Sequence, residues 1–174
     1  MKAVALVYSG NKTDALAALS SSFFDLNGDL KTGPKHVFSL SSGDFVNGLY
    51  KIVDNNGDQI IVHNSFIADA EPGDKRVENK TIIRSDPTTQ EGLNGTHQTK
   101  LYASNISPID IIRNEELVLL YAEANIPSNP TEAIKAIDVI RTSAGLAAYS
   151  GASTESALID ELLNQRRYSF WCEN

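Results

Sequence analysis

Two acids seven residues apart, Glu116 and Glu123, stand in the run RNEELVLLYAEAN over residues 113–125. At 3.6 residues per turn this spacing brings both to nearly one helix face. Glycoside hydrolysis uses such a pair, one carboxyl as acid and the other as base or nucleophile, about 5 to 10 Å apart. Two turns span about 11 Å of axis, so the reach is conceivable. The same helix, however, carries Leu119 and Leu120, which direct it toward other helices and imply no cleft. The competing assignment is structural: partly buried carboxylates answered by Arg141, Arg166 or Arg167, since a buried charge needs a partner. The pattern favours scaffold over catalysis, and no catalytic residue is assigned.

Other chemistry-bearing residues form weaker patterns. Asp25, Asn27 and Asp29 occupy positions 1, 3 and 5 of a calcium loop, but Leu30 stands at the sixth position and His36 at the twelfth, where the loop needs Gly and a bidentate Glu. A polar turn is expected instead. DNNGDQ, from Asp54, fails the same template because its Gly comes fourth. His36, His63 and His97 lie in separate segments without ligand spacing, so no metal is assigned. No GxSxG, GxGxxG or GK[ST] pattern occurs, which removes the nucleophile elbow and the phosphate loops, and no cofactor is expected.

A different set mixes rings with hydrogen-bonding groups: Phe38, Phe45, Tyr50 and Phe66, with Asp44, Asn47 and His63 among them. Flat rings cover the apolar faces of sugars and planar polar groups answer their hydroxyls. The candidate ligand-binding residues are Phe45, Asn47, Tyr50, His63 and Phe66.

The chain that must position them has 174 residues, enough for one domain with its own core. Its net charge of −7 and pI near 4.9 remove the counterion-release term that drives phosphate-backbone binding, so no nucleic-acid partner is expected. A hydrophobic fraction of 41% with mean hydropathy −0.21 suggests neither disorder nor a membrane span. The single cysteine, Cys172, cannot form an internal disulfide and is expected as a thiol on a helix face. MKAVALVYSG lacks the features of a signal peptide. The opening KAVALVY and the closing RRYSFWCEN both read as cut, as in a piece of a longer protein.

The run AVALVYSGNKTDALAALSSSFF predicts a helical hairpin with a turn at Ser9-Gly10-Asn11 and Thr13 as the second N-cap. ELVLLYAEANIPSNPTEAIKAIDVIRTSAGL repeats the grammar, with Thr131 as N-cap and Gly145 as the residue after the helix. There Ala133, Ile134, Ile137, Ile140 and Ala144 form one apolar stripe. A last helix follows from an N-cap at Thr154. Between the helical ends the sequence is rich in Gly, Asn, Asp, Ser and Thr without helical period. VFSL and LYKIVDNNGDQIIVHNSF predict strands, with Asn55–Asp58 as a hairpin turn. EPGDKR, SDPTTQ and LNGTHQT predict turns in series.

At residues 109–174 the order of features becomes specific. IDIIRNEELVLLYAEAN, EAIKAIDVIRTSAGL and ALIDELLNQRRYSFWCEN resemble the C-terminal helices of the SusD/RagB family of Bacteroidetes outer-membrane nutrient-binding lipoproteins. The matching positions are Arg113, Glu116, Leu119, Ala122, Glu123 and Ala124, then Ala133, Ile134, Ile137, Ile140, Arg141, Ala144, Gly145 and Leu146, then Arg166, Arg167 and Glu173. Asp74 with Arg76, and Lys100 with Tyr102, look like the stretch preceding those helices in the family, and the first hairpin is similar to one of its TPR-like pairs. Gln165 and Ser169 depart from the pattern, where the family carries Glu; an amide would replace one charged contact.

The resemblance implies a mainly α fold, TPR-like helical hairpins in a SusD-like α-α superhelix with a loop-rich, short-strand insertion. It would divide a single SusD/RagB-like domain fragment, 1–174, into a hairpin over 1–26, an insertion over 27–108 and C-terminal helices over 109–174. It also implies a function without catalysis: surface capture of an oligosaccharide for a SusC-like TonB-dependent transporter. The protein would sit on the cell outer membrane as a surface-exposed lipoprotein, through a lipid anchor absent from this fragment. The family's ligand contacts come largely from loops outside the final helices, which points to 36–66. The alternative is a TPR-like protein-protein interaction module, although caps 118 residues apart, at Thr13 and Thr131, exclude a tandem array of 34-residue repeats.

Overall fold

The computed structural model describes residues 1–55, 57–90 and 92–173, with side chains at all of these except 88–90 and 93. The chain divides into two compact units, Met1–Pro34 with Asp110–Asn174, and Lys35–Ile109. Helices dominate: α1 (Lys2–Tyr8), α2 (Lys12–Ser20), α3 (Asn64–Ala68), α4 (Lys75–Lys80), α5 (Asn114–Asn125), α6 (Pro130–Ser143) and α7 (Glu155–Ser169). The strands are β1 (Lys35–His36), β2 (Thr81–Gln90), β3 (Leu93–Thr99) and β4 (Ile109–Asp110). The fold is mainly α, as the resemblance implies.

In the helical unit α5 is the central element because it is apolar nearly all round. Leu117, Leu120 and Ala124 pack with Ala3, Val7, Ala15 and Leu19 of the α1–α2 hairpin. Its other side sends Val118, Leu119 and Ala122 against Ala133, Ala136, Ile137 and Ile140 of α6 and Leu158 and Leu162 of α7. Ala15, Ala122, Ala124, Ala133 and Ala136 are fully buried at these contacts, and their small side chains let the helices approach closely.

The helix ends follow local chemistry. Both α1 and α6 stop at a glycine with positive φ, Gly10 at 82° and Gly145 at 85°. In each the two residues after the cap return bonds to the last turn: Gly10 N to Val7 O and Asn11 N to Leu6 O, Gly145 N to Thr142 O and Leu146 N to Arg141 O, the double-bonded glycine stop. The N-caps of α2 and α6 differ from expectation. Asn11 caps α2, accepting from Asp14 N, and Asn129 caps α6, accepting from Glu132 N. Each displaced Thr lies two residues inside its helix, and Pro130 takes the first helical position, where its missing N–H costs nothing. Thr154 caps α7 as expected, accepting from Ala157 N.

The segment over 25–32 is a polar turn. The Asp25 carboxylate accepts from Asn27 N and that of Asp29 from Lys31 N, side-chain turns that use the oxygens a cation would need. Asn114, at the start of α5, holds this turn by accepting from Asp25 N and donating to Asp25 O. Cys172 is half-buried but not on a helix face: α7 ends before it, at the cap Phe170. No helix among the described residues is long and apolar enough to cross a membrane.

In the unit Lys35–Ile109 the strands lie where turns were expected. SDPTTQ falls in β2 and LNGTHQT is β3; they pair antiparallel, with Ile82 opposite Gln98, Ile83 opposite His97 and Gln90 opposite Leu93. A register break between Ile83 and Thr88 accommodates Pro87, which cannot donate to a ladder. The hairpin was unreadable as strands because its buried positions are polar: Thr81, Arg84, Gln98 and Thr99. Conversely, residues 37–40 and 49–55 form no strand. Their apolar side chains, such as Leu40 and Ile52, are exposed and have no sheet to cover. Further along, Ile61 bridges to Gln98, with Val62 N bonded to His97 O and Thr99 N to Ile60 O. Part of the expected 55–58 turn, Asn56, lies outside the described residues.

Candidate functional site

Glu123 is held by Arg166 of α7 at 3.5 Å and Lys12 of α2 at 3.8 Å. It lines a cavity of about 220 Å³ with Tyr8, Ile126, Ile159 and Leu163, and Glu116 is not part of that lining. Of the arginines expected as partners, Arg166 is one. Arg141 joins Glu161 at 2.6 Å and donates to Ala147 O, and Arg167 lies over the Tyr168 ring.

Arg113 ties the start of α5 to the end of α7. Its guanidinium reaches Glu115 at 2.7 Å, Glu173 at 3.0 Å and the Ser169 carbonyl at 2.7 Å, beneath the Phe170 ring. Burial opposes its charge, but Glu115 and Glu173 outweigh that and raise its pKa. Gln165 is buried on α7 and donates to Glu161 at 2.7 Å. These contacts join α5, α6 and α7.

The ring-bearing loop is built differently. Asn47 is 2% exposed and acts as an internal clasp. Its N–H donates to Asn105 O, its side-chain amide donates to Ser107 O, and its amide oxygen accepts from Leu49 N. A second buried amide, Gln98 on β3, donates to Ile52 O and accepts from Asp54 N and from Arg84. Two amides thus pin the chain on either side of Tyr50. Sequence reasoning missed Gln98 and Arg84, which carry no signal in a run read as turns.

The five candidates separate into three places. Phe45 stands on the turn 41–45 and is 80% exposed. Asp44 shapes that turn, accepting from Ser39 Oγ at 2.7 Å and Phe45 N at 2.8 Å. These two donors, the Ser39 hydroxyl first, hold the Asp44 carboxyl below its ordinary range. Asn47 and half-buried Tyr50 are joined by a bond from Tyr50 N to Asn47 O. His63 caps α3, its Nδ1 accepting from Ser65 N, and Phe66 is buried in that helix. Exposed rings and heteroatoms are therefore offered by Phe45, Tyr50 and His63, while Asn47 and Phe66 are buried beneath the surface.

The same unit has an open groove of about 670 Å³ lined by α3, α4, β2 and β3, including Glu71, Lys75, Glu78, Ile83 and Lys100. Asp74, which caps α4, receives a two-pronged ion pair from Arg76, with Nε at 2.9 Å and a terminal nitrogen at 2.7 Å. No His, Cys, Asp and Glu cluster among the described residues could hold a metal ion.

One unit is built on a central apolar helix; the other exposes the Phe45 ring on a loop held by buried amides, and loops are where candidate binding surfaces are carried. The sequence profile of the SusD family matches residues 77–174, more than half of the chain, and the chain belongs to that family. Crystal structures agree on the fold. A SusD superfamily protein from Parabacteroides distasonis is 20% identical, with a TM-score of 0.66, over 95% of this chain and 44% of its own. A SusD-like carbohydrate-binding protein from Bacteroides vulgatus is 15% identical with TM-score 0.68, over 98% and 41%. Surface glycan-binding protein A from Bacteroides uniformis is 18% identical with TM-score 0.64, over 98% and 45%. The chain spans less than half the length of these relatives. No curated protein sequence matches it.

Proposed function

We propose that this chain is part of a glycan-binding protein that captures an oligosaccharide at the cell surface for a SusC-like TonB-dependent transporter in the outer membrane, the whole protein being held there by a lipid anchor. It performs no reaction. The observation that carries the proposal is the exposed Phe45 ring on a loop braced by buried amides, in a member of the SusD family. Phe45 and Tyr50 supply ring faces for pyranose C–H surfaces, His63 a hydrogen-bonding nitrogen, and Asn47 and Phe66 the support that keeps them in place.

Affinity electrophoresis of the 174-residue chain in gels containing different polysaccharides tests this. At least one glycan should retard the chain, and Phe45→Ala should weaken that retardation about fivefold, since a ring contact is worth about 1 kcal/mol, with the melting temperature unchanged. The alternative, a helical module that docks a peptide, would use the apolar cavity beside Tyr8, Ile159 and Leu163. Indifference to every glycan, with tight peptide binding lost in Leu163→Asp, would replace the glycan proposal by that one.

A further inference from the structure

We infer that the glycan taken at this loop surface is uncharged; the inference rests on the glycan-binding proposal and adds a substrate class to it. A uronic acid or sulfated sugar needs a cation facing it, best an Arg fork or an uncommitted Lys. Residues 37–66 contain one lysine and no arginine, against three aspartates.

That lysine is already used. Lys51 Nζ lies 2.6 Å from Asp58, with its side chain 10% exposed. His63 Nδ1 is engaged by Ser65, accepting from its N–H and lying 2.9 Å from its hydroxyl, which leaves Nε2 as the ring nitrogen for a sugar hydroxyl. The His36 ring sets its edge against Phe38 and its charge, when present, acts on Asp44. Arg84 lies under the loop, 4% exposed, its donors turned to Gln98 and to the carbonyls of Asn55 and Asp86.

The exposed apolar side chains of this segment include Val37, Leu40, Phe45, Val46 and Ile52. A carboxylate or sulfate laid there loses water, gains no counter-charge and meets the excess of aspartates, so it is rejected. A neutral pyranose buries its C–H face on the same atoms. The groove beside α4 offers no escape, because Lys75 and Lys100 share its lining with Glu71 and Glu78.

The test is retardation by neutral polymers (an α-glucan, a β-glucan, a xylan, a mannan) and by acidic ones (polygalacturonate, chondroitin sulfate). Each is run from about 20 to about 300 mM NaCl, which shortens the screening length roughly fourfold. The expected result is retention by a neutral polymer that changes less than about twofold across the salt series and weakens in Phe45→Ala. Retention by an acidic polymer that falls about tenfold or more with salt overturns the neutral assignment while leaving glycan binding intact. Retention by nothing in either set overturns both.

Discussion

The two units are held together by opposite means. In the helical unit two apolar clusters meet at α5, running from Ala3 and Val7 through Leu117–Leu120 to Ile137, Ile140, Leu158 and Leu162, and outnumber the buried polar residues Arg113, Asn114, Asn125, Arg141, Gln165 and Ser169. In the unit 35–109, Val62 and Phe66 are the buried apolar side chains among the described residues, whereas Asn47, Asp74, Arg76, Lys80, Thr81, Arg84, Gln98 and Thr99 are buried and polar. The same unit leaves Leu40, Phe45, Val46 and Ile52 exposed. One unit withdraws its apolar groups from water for stability; the other spends polar bonds on stability and keeps apolar groups on the surface, where a ligand can use them.

The sharpest way to break that contrast is a cavity in the helical core. Leu119 is fully buried between α5, α6 and α7, so Leu119→Ala should cost about 3 kcal/mol, the lost transfer energy plus the unfilled space. Chemical denaturation should show the midpoint fall. At temperatures where the variant remains folded, glycan retention should be unchanged. A variant as stable as the parent would mean that α5 is not the centre of the unit.

The second variant attacks the polar framework. Asn47→Ala removes the clasp and leaves the carbonyl of Ser107 and the amide of Leu49 without that partner, a cost of about 1 to 3 kcal/mol for buried groups. The loss should be local: amide exchange should speed up around 47–50 and 105–107, while α5–α7 keep their protection. Glycan retention should drop with it, since Phe45 and Tyr50 flank the clasp. Uniform loss of protection in both units would dissolve the distinction drawn between them.

This contrast also explains what could be read beforehand. Apolar stripes follow from the helical period, so α5, α6 and α7 and the glycine stops at Gly10 and Gly145 were legible. The N-caps slipped by two residues at Asn11 and Asn129 because Asn and Thr are both good caps; the winner is the one whose oxygen meets the amide three residues on. The β2–β3 hairpin was hidden because its interior is Gln98, Thr99 and Arg84, which look like a loop. The strands expected around residue 52 were suggested by alternating apolar residues that turn out to face solvent. For the candidate surface, residue types singled out Phe45 and Tyr50, but nothing in the sequence marks Asn47 and Phe66 as buried or Gln98 as the second pin. A buried amide's partners are backbone groups, as with Ser107 O and Ile52 O, and any residue type supplies those.

The smallest expected effect concerns the acid pair itself. Had Glu123 been sealed in the core, deleting it would strand a buried cation and cost about 3 to 5 kcal/mol. Its side chain is instead 23% exposed, and its cations Arg166 and Lys12 are 26% and 31% exposed. Water therefore screens each pair, and neither cation is stranded when the carboxylate leaves. Glu123→Ala should accordingly cost no more than about 1 kcal/mol, less than either variant above, and part of that should vanish in high salt. Denaturation midpoints at low and high ionic strength measure both quantities. Glu123→Gln, which keeps the packing and removes the charge, should separate the two contributions. If Glu123→Ala abolished glycan retention at unchanged stability, the helical unit would be carrying the ligand, and the division of labour between the units would be reversed.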